Sequence, residues 1–211
     1  MNGQKVIACL GGGSGSPGEV MYDTMREVGV LLARGGAVVA TGGYGGAGME
    51  APIRGAKESG GKTLVYLFHN VPPNSYVENT GDGEQVTRIC DCGAQAHFYA
   101  PIPPIREIQY GIRLGGLLTA DAFIIAAWGG PGTMTELMAI INLNSKQWRR
   151  EDRQKRCAIL KPPREPFTHN ESAWNEAMLQ SFKTMGLFPE SVAPFFACVD
   201  TPRRAVQWVL S

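Results

Sequence analysis

Three times along this chain a short apolar run ends on a cluster of glycines and hands over to side chains spaced for a helix. Lys5-Val6-Ile7-Ala8-Cys9-Leu10 breaks into Gly11-Gly12-Gly13-Ser14-Gly15-Ser16-Pro17-Gly18, after which Val20, Met21, Met25, Val28, Leu31 and Leu32 recur at helical spacing as far as Gly35-Gly36. Ala37-Val38-Val39-Ala40-Thr41 ends in Gly42-Gly43-Tyr44-Gly45-Gly46-Ala47-Gly48, with a helix expected from about Met49 through Lys57. Ala122-Phe123-Ile124-Ile125-Ala126-Ala127 leads into Gly129-Gly130-Pro131-Gly132-Thr133-Met134-Thr135-Glu136, with a helical pattern beginning near Thr133. Strands that alternate with helices in this way lie parallel with right-handed crossovers, and their ligand sites gather beyond the carboxyl ends of the strands. Three glycine turns are therefore expected along one edge of one sheet.

The rest of the chain fits the same plan. A third strand is read over Thr63-Leu64-Val65-Tyr66-Leu67, and a long connection at 68–104, rich in proline and glycine, contains a short strand at Ala96–Ala100. Helix Ile105–Thr119 precedes the third glycine turn; beyond that turn a helix continues toward Lys146, and a charged stretch, Arg149–Arg156, reads as a solvated loop. A strand at Cys157–Leu160, an amphipathic helix from about Glu171 to Met185 with Trp174, Met178 and Phe182 on one face, a strand at Phe195–Val199 and a helix from Thr201-Pro202 to Leu210 complete the pattern. The expected fold class is α/β: a single Rossmann-like, doubly wound domain over residues 1–211, with a mainly parallel sheet flanked by helices.

Charge and cysteine usage exclude several roles. Twenty Lys plus Arg against nineteen Asp plus Glu give a formal charge of +1, so no broad field recruits nucleic acid or an anionic membrane, and recognition is local. No stretch approaches the length of a membrane helix, and the amino terminus lacks the apolar core of a signal peptide. Five scattered cysteines, an odd number, suit a reducing compartment, so the expected location is cytoplasmic. Cys90-Asp91-Cys92 with His97 nearby has the wrong spacing for structural zinc, so no metal is expected; His69 and His97 read as structural or solvated.

The third glycine turn carries the chemistry. A helix that starts immediately after a strand and a tight turn points its first N–H groups outward with the positive end of its dipole behind them, which makes an anion site. Glycine lets backbone approach a phosphate, Thr133 adds a hydroxyl at the helix start, and Glu136 sets a carboxylate one turn in. The alternative reading of the same residues is structural, with Thr133 as N-cap and Glu136 closing a capping box. The first turn lacks the Lys-Ser or Lys-Thr of a P-loop, and Thr41 stands where an NAD ribose needs an acidic residue, so dinucleotide oxidoreductase is disfavoured.

Thr41-Gly42-Gly43 with Gly48-Met49-Glu50-Ala51, Gly55-Ala56-Lys57 and Gly60-Gly61, followed by Asp121–Ile124 and the third turn, resembles the LOG family of cytokinin riboside 5′-monophosphate phosphoribohydrolases, often labelled lysine decarboxylase-like. The family signature PGGxGTxxE is matched at Gly129, Gly130, Gly132, Thr133 and Glu136, with Trp128 in place of the proline. Arg113 falls at the family's separation from Glu136, and Leu114 replaces the lysine that follows the arginine there. The resemblance implies hydrolysis of the N-glycosidic bond of a nucleoside 5′-monophosphate, of AMP or cytokinin riboside monophosphate type, to free base and ribose 5-phosphate without a cofactor. It implies catalytic Arg113 and Glu136, a phosphate on Gly129, Gly130, Gly132 and Thr133, and further substrate contacts at Gly12, Ser14, Gly42, Gly43, Met49 and Glu50. It also implies a homodimer or higher homo-oligomer joined through the helices from 105 and 133. The other function class this pattern serves is a binding or carrier protein for a nucleotide or phosphorylated cofactor, which keeps the glycine turns and has no need of Arg113 and Glu136 together.

Overall fold

A computed structural model describes residues 3–66, 106–146, 154–163 and 176–211. Their elements run β1 (Val6–Leu10), α1 (Val20–Arg34), β2 (Val38–Thr41), α2 (Glu50–Glu58), β3 (Thr63–Val65), α3 (Arg106–Leu118), β4 (Ala122–Ala126), α4 (Pro131–Ser145), β5 (Arg156–Leu160), α5 (Glu176–Thr184), β6 (Phe196–Val199) and α6 (Pro202–Leu210). The six strands form one sheet in the order β3-β2-β1-β4-β5-β6, and every pairing is parallel. This is the α/β arrangement expected from the alternation. The order reverses between β1 and β4, where neighbouring strands send their chains to opposite faces and leave a crevice at their carboxyl ends.

Period-2 alternation divides the core between those faces. Ile7 and Cys9 of β1 join Tyr22, Met25, Val28 and Leu32 of α1, Ala51, Ile53 and Ala56 of α2, and Ala205, Val206 and Val209 of α6. Ala8 and Leu10 turn the other way, onto Leu117 of α3, Leu137, Ile140 and Ile141 of α4, and Leu179 of α5. Strands buried on both faces read as unbroken apolar runs, which is why the sequence shows them plainly.

On the first face α1 and α2 pack at backbone distance. A Cβ on Gly29 would overlap the Pro52 carbonyl, and one on Gly55 would overlap the Arg26 carbonyl. Tyr22 Oη donates to Glu50 Oε1 at 2.9 Å and Arg26 pairs with Glu58 across the same seam. At the amino edge of the sheet the Val6 N–H donates to Asp121 Oδ2 at 2.7 Å while the Asp121 N–H donates to Val6 O at 2.8 Å, a clip between β1 and β4 on the side away from the crevice.

Several boundaries differ from the sequence reading. The third strand stops at Val65, and α4 begins at Pro131 rather than near Thr133. Proline explains the second shift: its fixed φ and missing N–H suit the first helical position. A 3₁₀ turn at Ala193–Phe195, unmarked in the sequence pattern, sets up β6, and Thr201 caps α6 by accepting from the Arg204 N–H at 3.3 Å. The 68–104 connection with its expected strand, Cys90, Cys92, His69 and His97, the charged run as far as Arg153, and residues 171–175 of the expected amphipathic helix lie outside the described residues. Among the described residues no helix is long and apolar enough to cross a membrane.

Candidate anion site at the carboxyl edge

The three glycine turns meet. The Gly48 N–H donates to Gly12 O at 3.0 Å and the Ala47 N–H to Ser14 O at 2.9 Å, so the turns after β1 and β2 are joined backbone to backbone. Side chains are excluded from that junction: a Cβ on Gly11 would stand 2.7 Å from the Gly48 Cα, and one on Gly48 would overlap Gly11. On its other side the first turn reaches the third, because a Cβ on Gly12 would lie 3.8 Å from the Gly129 Cα and 3.9 Å from the Gly130 nitrogen. Of the expected contacts, Gly12 thus faces Gly129 and Gly130 across the β1/β4 crevice, while Ser14 is joined to the second turn.

The helix starts at these turns are not equivalent. At α2 the N–H groups of Met49, Glu50 and Ala51 are all directed at the Gly46 carbonyl, at 3.4, 3.0 and 3.3 Å. Helix α1 begins only at Val20, well past Gly11–Gly13. At α4 Gly130 is the N-cap and contributes no side chain; Met134 N–H closes the first turn on Gly130 O at 3.1 Å, and the Gly132 and Thr133 N–H groups meet no acceptor among the described residues. A Cβ on Gly130 or Gly132 would meet nothing within 4 Å, so none of the described residues closes the approach to these donors. Among the described residues, the helix-start N–H donors left for an anion at the carboxyl edge are those of α4.

This geometry removes the capping-box reading. With Gly130 as N-cap, Thr133 sits inside the first turn and Glu136 one turn too late to reach back to the cap. Thr133 is 3% exposed and tucks against Gly129, where a Cβ would collide with it. The Thr133 methyl and hydroxyl both lie against the Gly129 turn.

Arg113 arrives from α3 and is held in place by the second turn and the end of β3. Its Nε donates to the Tyr66 carbonyl at 2.9 Å, Nη2 reaches Met49 Sδ at 3.6 Å, and the guanidinium lies 5.7 Å from the Tyr44 ring centroid. Gly42 is glycine for this reason: a Cβ there would overlap the guanidinium. The Gly43 N–H donates to Thr41 Oγ1 at 3.1 Å with φ of 73°, a left-handed turn that glycine adopts without strain. Met49 and Gly42 therefore lie against Arg113. Glu50 is directed elsewhere, its carboxylate accepting from Tyr22 and lying 3.8 Å from the Arg54 guanidinium. Sequence reasoning missed Tyr44 and Tyr66 as the supports of Arg113; an aromatic set among four glycines at Tyr44 was the available signal for the first, whereas the Tyr66 carbonyl leaves no mark in the sequence.

Glu136 is half-buried on α4 and accepts no hydrogen bond among the described residues. Burial pushes its carboxyl up from the ordinary 4.5 to about 7, while the Arg113 guanidinium pulls the other way. If Arg113 opposes the shift, displacing it leaves burial uncontested. Both Arg113→Ala and Gly42→Ala, the latter by pushing the guanidinium aside, should therefore raise the Glu136 titration midpoint further in carboxyl ¹³C NMR. An unmoved midpoint would mean that the two groups do not share one site.

No protein-family model matches the sequence, and no curated protein matches it either. Solved structures do. The chain is similar to the molybdenum cofactor binding protein of the phototrophic bacterium Rippkaea orientalis, at 18% identity over 98% of this chain and 96% of that one, with a TM-score of 0.58. It is similar to the molybdenum cofactor carrier protein of Chlamydomonas reinhardtii, at 18% identity over 97% and 94% of the two chains, TM-score 0.55. A structural-genomics target, TM1055, matches at 20% identity over 97% and 96%, TM-score 0.59. The likeness is one of fold. Near-complete coverage of both partners places this chain in the same Rossmann-like architecture, and identities this low carry nothing finer.

Proposed function

We propose that this chain binds a phosphorylated small molecule, a nucleotide or a phosphorylated cofactor, with the phosphate on the amino terminus of α4 and the remainder in the β1/β4 crevice. The observation that carries this reading is the open pair of N–H donors at Gly132 and Thr133, beside glycines whose Cα atoms face empty space. The names of two structural neighbours, a molybdenum cofactor binding protein and a molybdenum cofactor carrier, support a holding role for the same architecture. The residues here fit the phosphate of such a cofactor. Among the described residues no group of three His, Cys, Asp or Glu could hold a metal ion.

A second reading, favoured by Arg113 and Glu136 on facing helices, is hydrolysis of the N-glycosidic bond of a nucleoside 5′-monophosphate, the activity implied by the resemblance to the LOG family. The C1′–N bond breaks with its electron pair leaving on the base, which takes up a proton from solvent, and water adds to C1′. The ionised fraction of Glu136 stabilises the positive charge that develops on the sugar and takes the proton from the attacking water, while Arg113, fixed by Tyr66 and Met49, orients the ribose. A homodimer belongs to this reading, through the exposed face of α3 at Gly111 and Gly115 and of α4 at Leu143.

Two measurements on the purified protein test these readings. Nucleoside monophosphates should protect it against heat where the matching nucleosides do not, since stabilisation follows occupancy; equal shifts from AMP and adenosine would remove the phosphate anchor. Chromatography of the same incubations then separates the two roles. Free base appears if the site hydrolyses its ligand, and intact ligand is recovered if the site only holds it.

A further inference from the structure

We infer that a cavity between α5 and β6, at the edge of the sheet and away from the β1/β4 crevice, is a second ligand site that takes a small aromatic carboxylate. Its construction starts where α5 ends. Gly186 adopts φ of 73°, its N–H donates to Lys183 O at 3.0 Å and the Leu187 N–H donates to Phe182 O at 2.8 Å. This left-handed stop folds the chain back and carries Phe188, 3% exposed, into the apolar cluster that holds Leu179 of α5. The 3₁₀ turn at Ala193–Phe195 then delivers Phe196 and Cys198, two residues apart and so on one face of β6. These groups line a space of about 280 Å³, at the small end of ligand pockets and enough for one flat ring system. The room exists because Ala193 and Cys198 stand in the lining where larger side chains would fill it.

The lining sets the chemistry of the occupant. The Phe188 and Phe196 rings lie 5.2 Å apart at 78°, so the wall offers both a ring edge and a ring face, pairings that a further aromatic ring extends and a saturated one does not. Cys198 adds a polarizable sulfur to the same wall, another contact suited to an aromatic edge. The polar part of the lining is confined to α5, where Gln180 and Lys183 stand three residues apart on one face. Lys183 Nζ lies 5.8 Å from the Phe188 ring centroid, which places the ammonium beside the apolar wall. No acidic side chain is among the lining residues, so the head of a ligand meets a positive charge with an amide donor next to it. A flat aromatic body with a carboxylate at one end matches the apolar wall and the cationic rim together.

The probe is 2-naphthoate, titrated calorimetrically into the full chain. 2-Naphthamide, of the same outline and uncharged, should bind about tenfold more weakly, the lower end of what a hydrogen bond to a charged group contributes. Decahydro-2-naphthoate, which keeps the charge and loses the rings, should bind several-fold more weakly. Lys183→Met keeps an unbranched stem over Phe188 and removes the charge; it should bring naphthoate down to the naphthamide value and leave naphthamide unchanged. Ala193→Leu, which fills the cavity, should abolish binding of both. Failure of naphthoate to bind at millimolar concentration overturns the site, as does binding that survives Ala193→Leu. Equal affinity for naphthoate and naphthamide removes the carboxylate, and equal affinity for the decahydro acid removes the aromatic requirement. A dimer in sedimentation that Ala193→Leu converts to monomer would assign the cavity to a second copy of the chain and overturn the small-molecule occupant. None of these results depends on the function proposed for the crevice.

Discussion

Glu136→Gln should make the protein more stable at pH 8 and leave its stability unchanged at pH 4. A carboxyl that titrates near 4.5 in the unfolded chain and near 7 in the fold binds more protons folded than unfolded across that interval. Stability is therefore fully present below pH 4.5, falls as the pH rises through the folded value near 7, and is flat above it. Glutamine keeps the shape of the protonated acid and does not titrate, so the advantage of the variant opens above pH 4.5 and is complete by pH 8. The full shift converts to about 3 kcal/mol, and partial exposure of the carboxyl lowers the expectation to about 2 kcal/mol, or roughly 4–8 °C in Tm for a chain of this size. Thermal unfolding at pH 4, 6 and 8 checks it. A variant less stable at pH 8 would show that the ionised carboxylate supports the fold. Under the hydrolytic reading the same substitution should lower base release at least ~100-fold, roughly 2.7 kcal/mol of barrier, and Arg113→Ala should fall steeply too, while Arg106→Ala on the same helix should not. A residue that destabilises its fold and is needed by its site is a familiar combination where function sets the residue type.

Gly29→Val should cost about 3 kcal/mol or more, the upper end of what overpacking does, with Gly55→Val close behind. The obstruction in both cases is backbone: the Pro52 carbonyl opposite Gly29 and the Arg26 carbonyl opposite Gly55 cannot rotate away as a side-chain tip would. The seam between α1 and α2 would have to open, lifting Tyr22 from Glu50 and Met25 from the buried cluster of that face. Gly111→Ala on α3 is the contrast, since a Cβ there meets nothing within 4 Å; relief of the helix-interior glycine penalty should stabilise by about 0.5–1 kcal/mol. Denaturant midpoints for the three variants decide the point. Equal effects would mean that helix propensity, rather than contact, governs these positions.

Those glycines show how far the sequence reaches. Gly55 was visible as part of a recurring family pattern and Gly29 carried no signal, and neither position announces that it faces a carbonyl of another helix. The same division holds at Asp121. It was visible only as the first residue of a stretch in the family pattern, and the structure puts it at the amino edge, clipping Val6 to β4 on the side away from the crevice.

What the sequence determined by itself was the local pattern: apolar runs for strands buried on both faces, helix periods between them, and glycine where the chain turns. Those signals need only neighbouring residues, and they were enough for an α/β fold with a parallel sheet, for glycine turns along one edge, and for Glu136 one turn into the third helix start; Arg113 came from the resemblance to the LOG family. Tertiary structure decided the strand order that reverses between β1 and β4. It also decided that the N–H groups of α2 are directed at Gly46 while those of Gly132 and Thr133 meet no acceptor among the described residues, and that Gly130, not Thr133, caps the helix. The anchoring of Arg113 on Gly42, Met49 and Tyr66, and the burial that lifts Glu136 toward neutrality, belong to the same category. Each depends on groups far apart in the chain brought within a few ångströms, and a periodicity that repeats every two or 3.6 residues holds no record of such meetings.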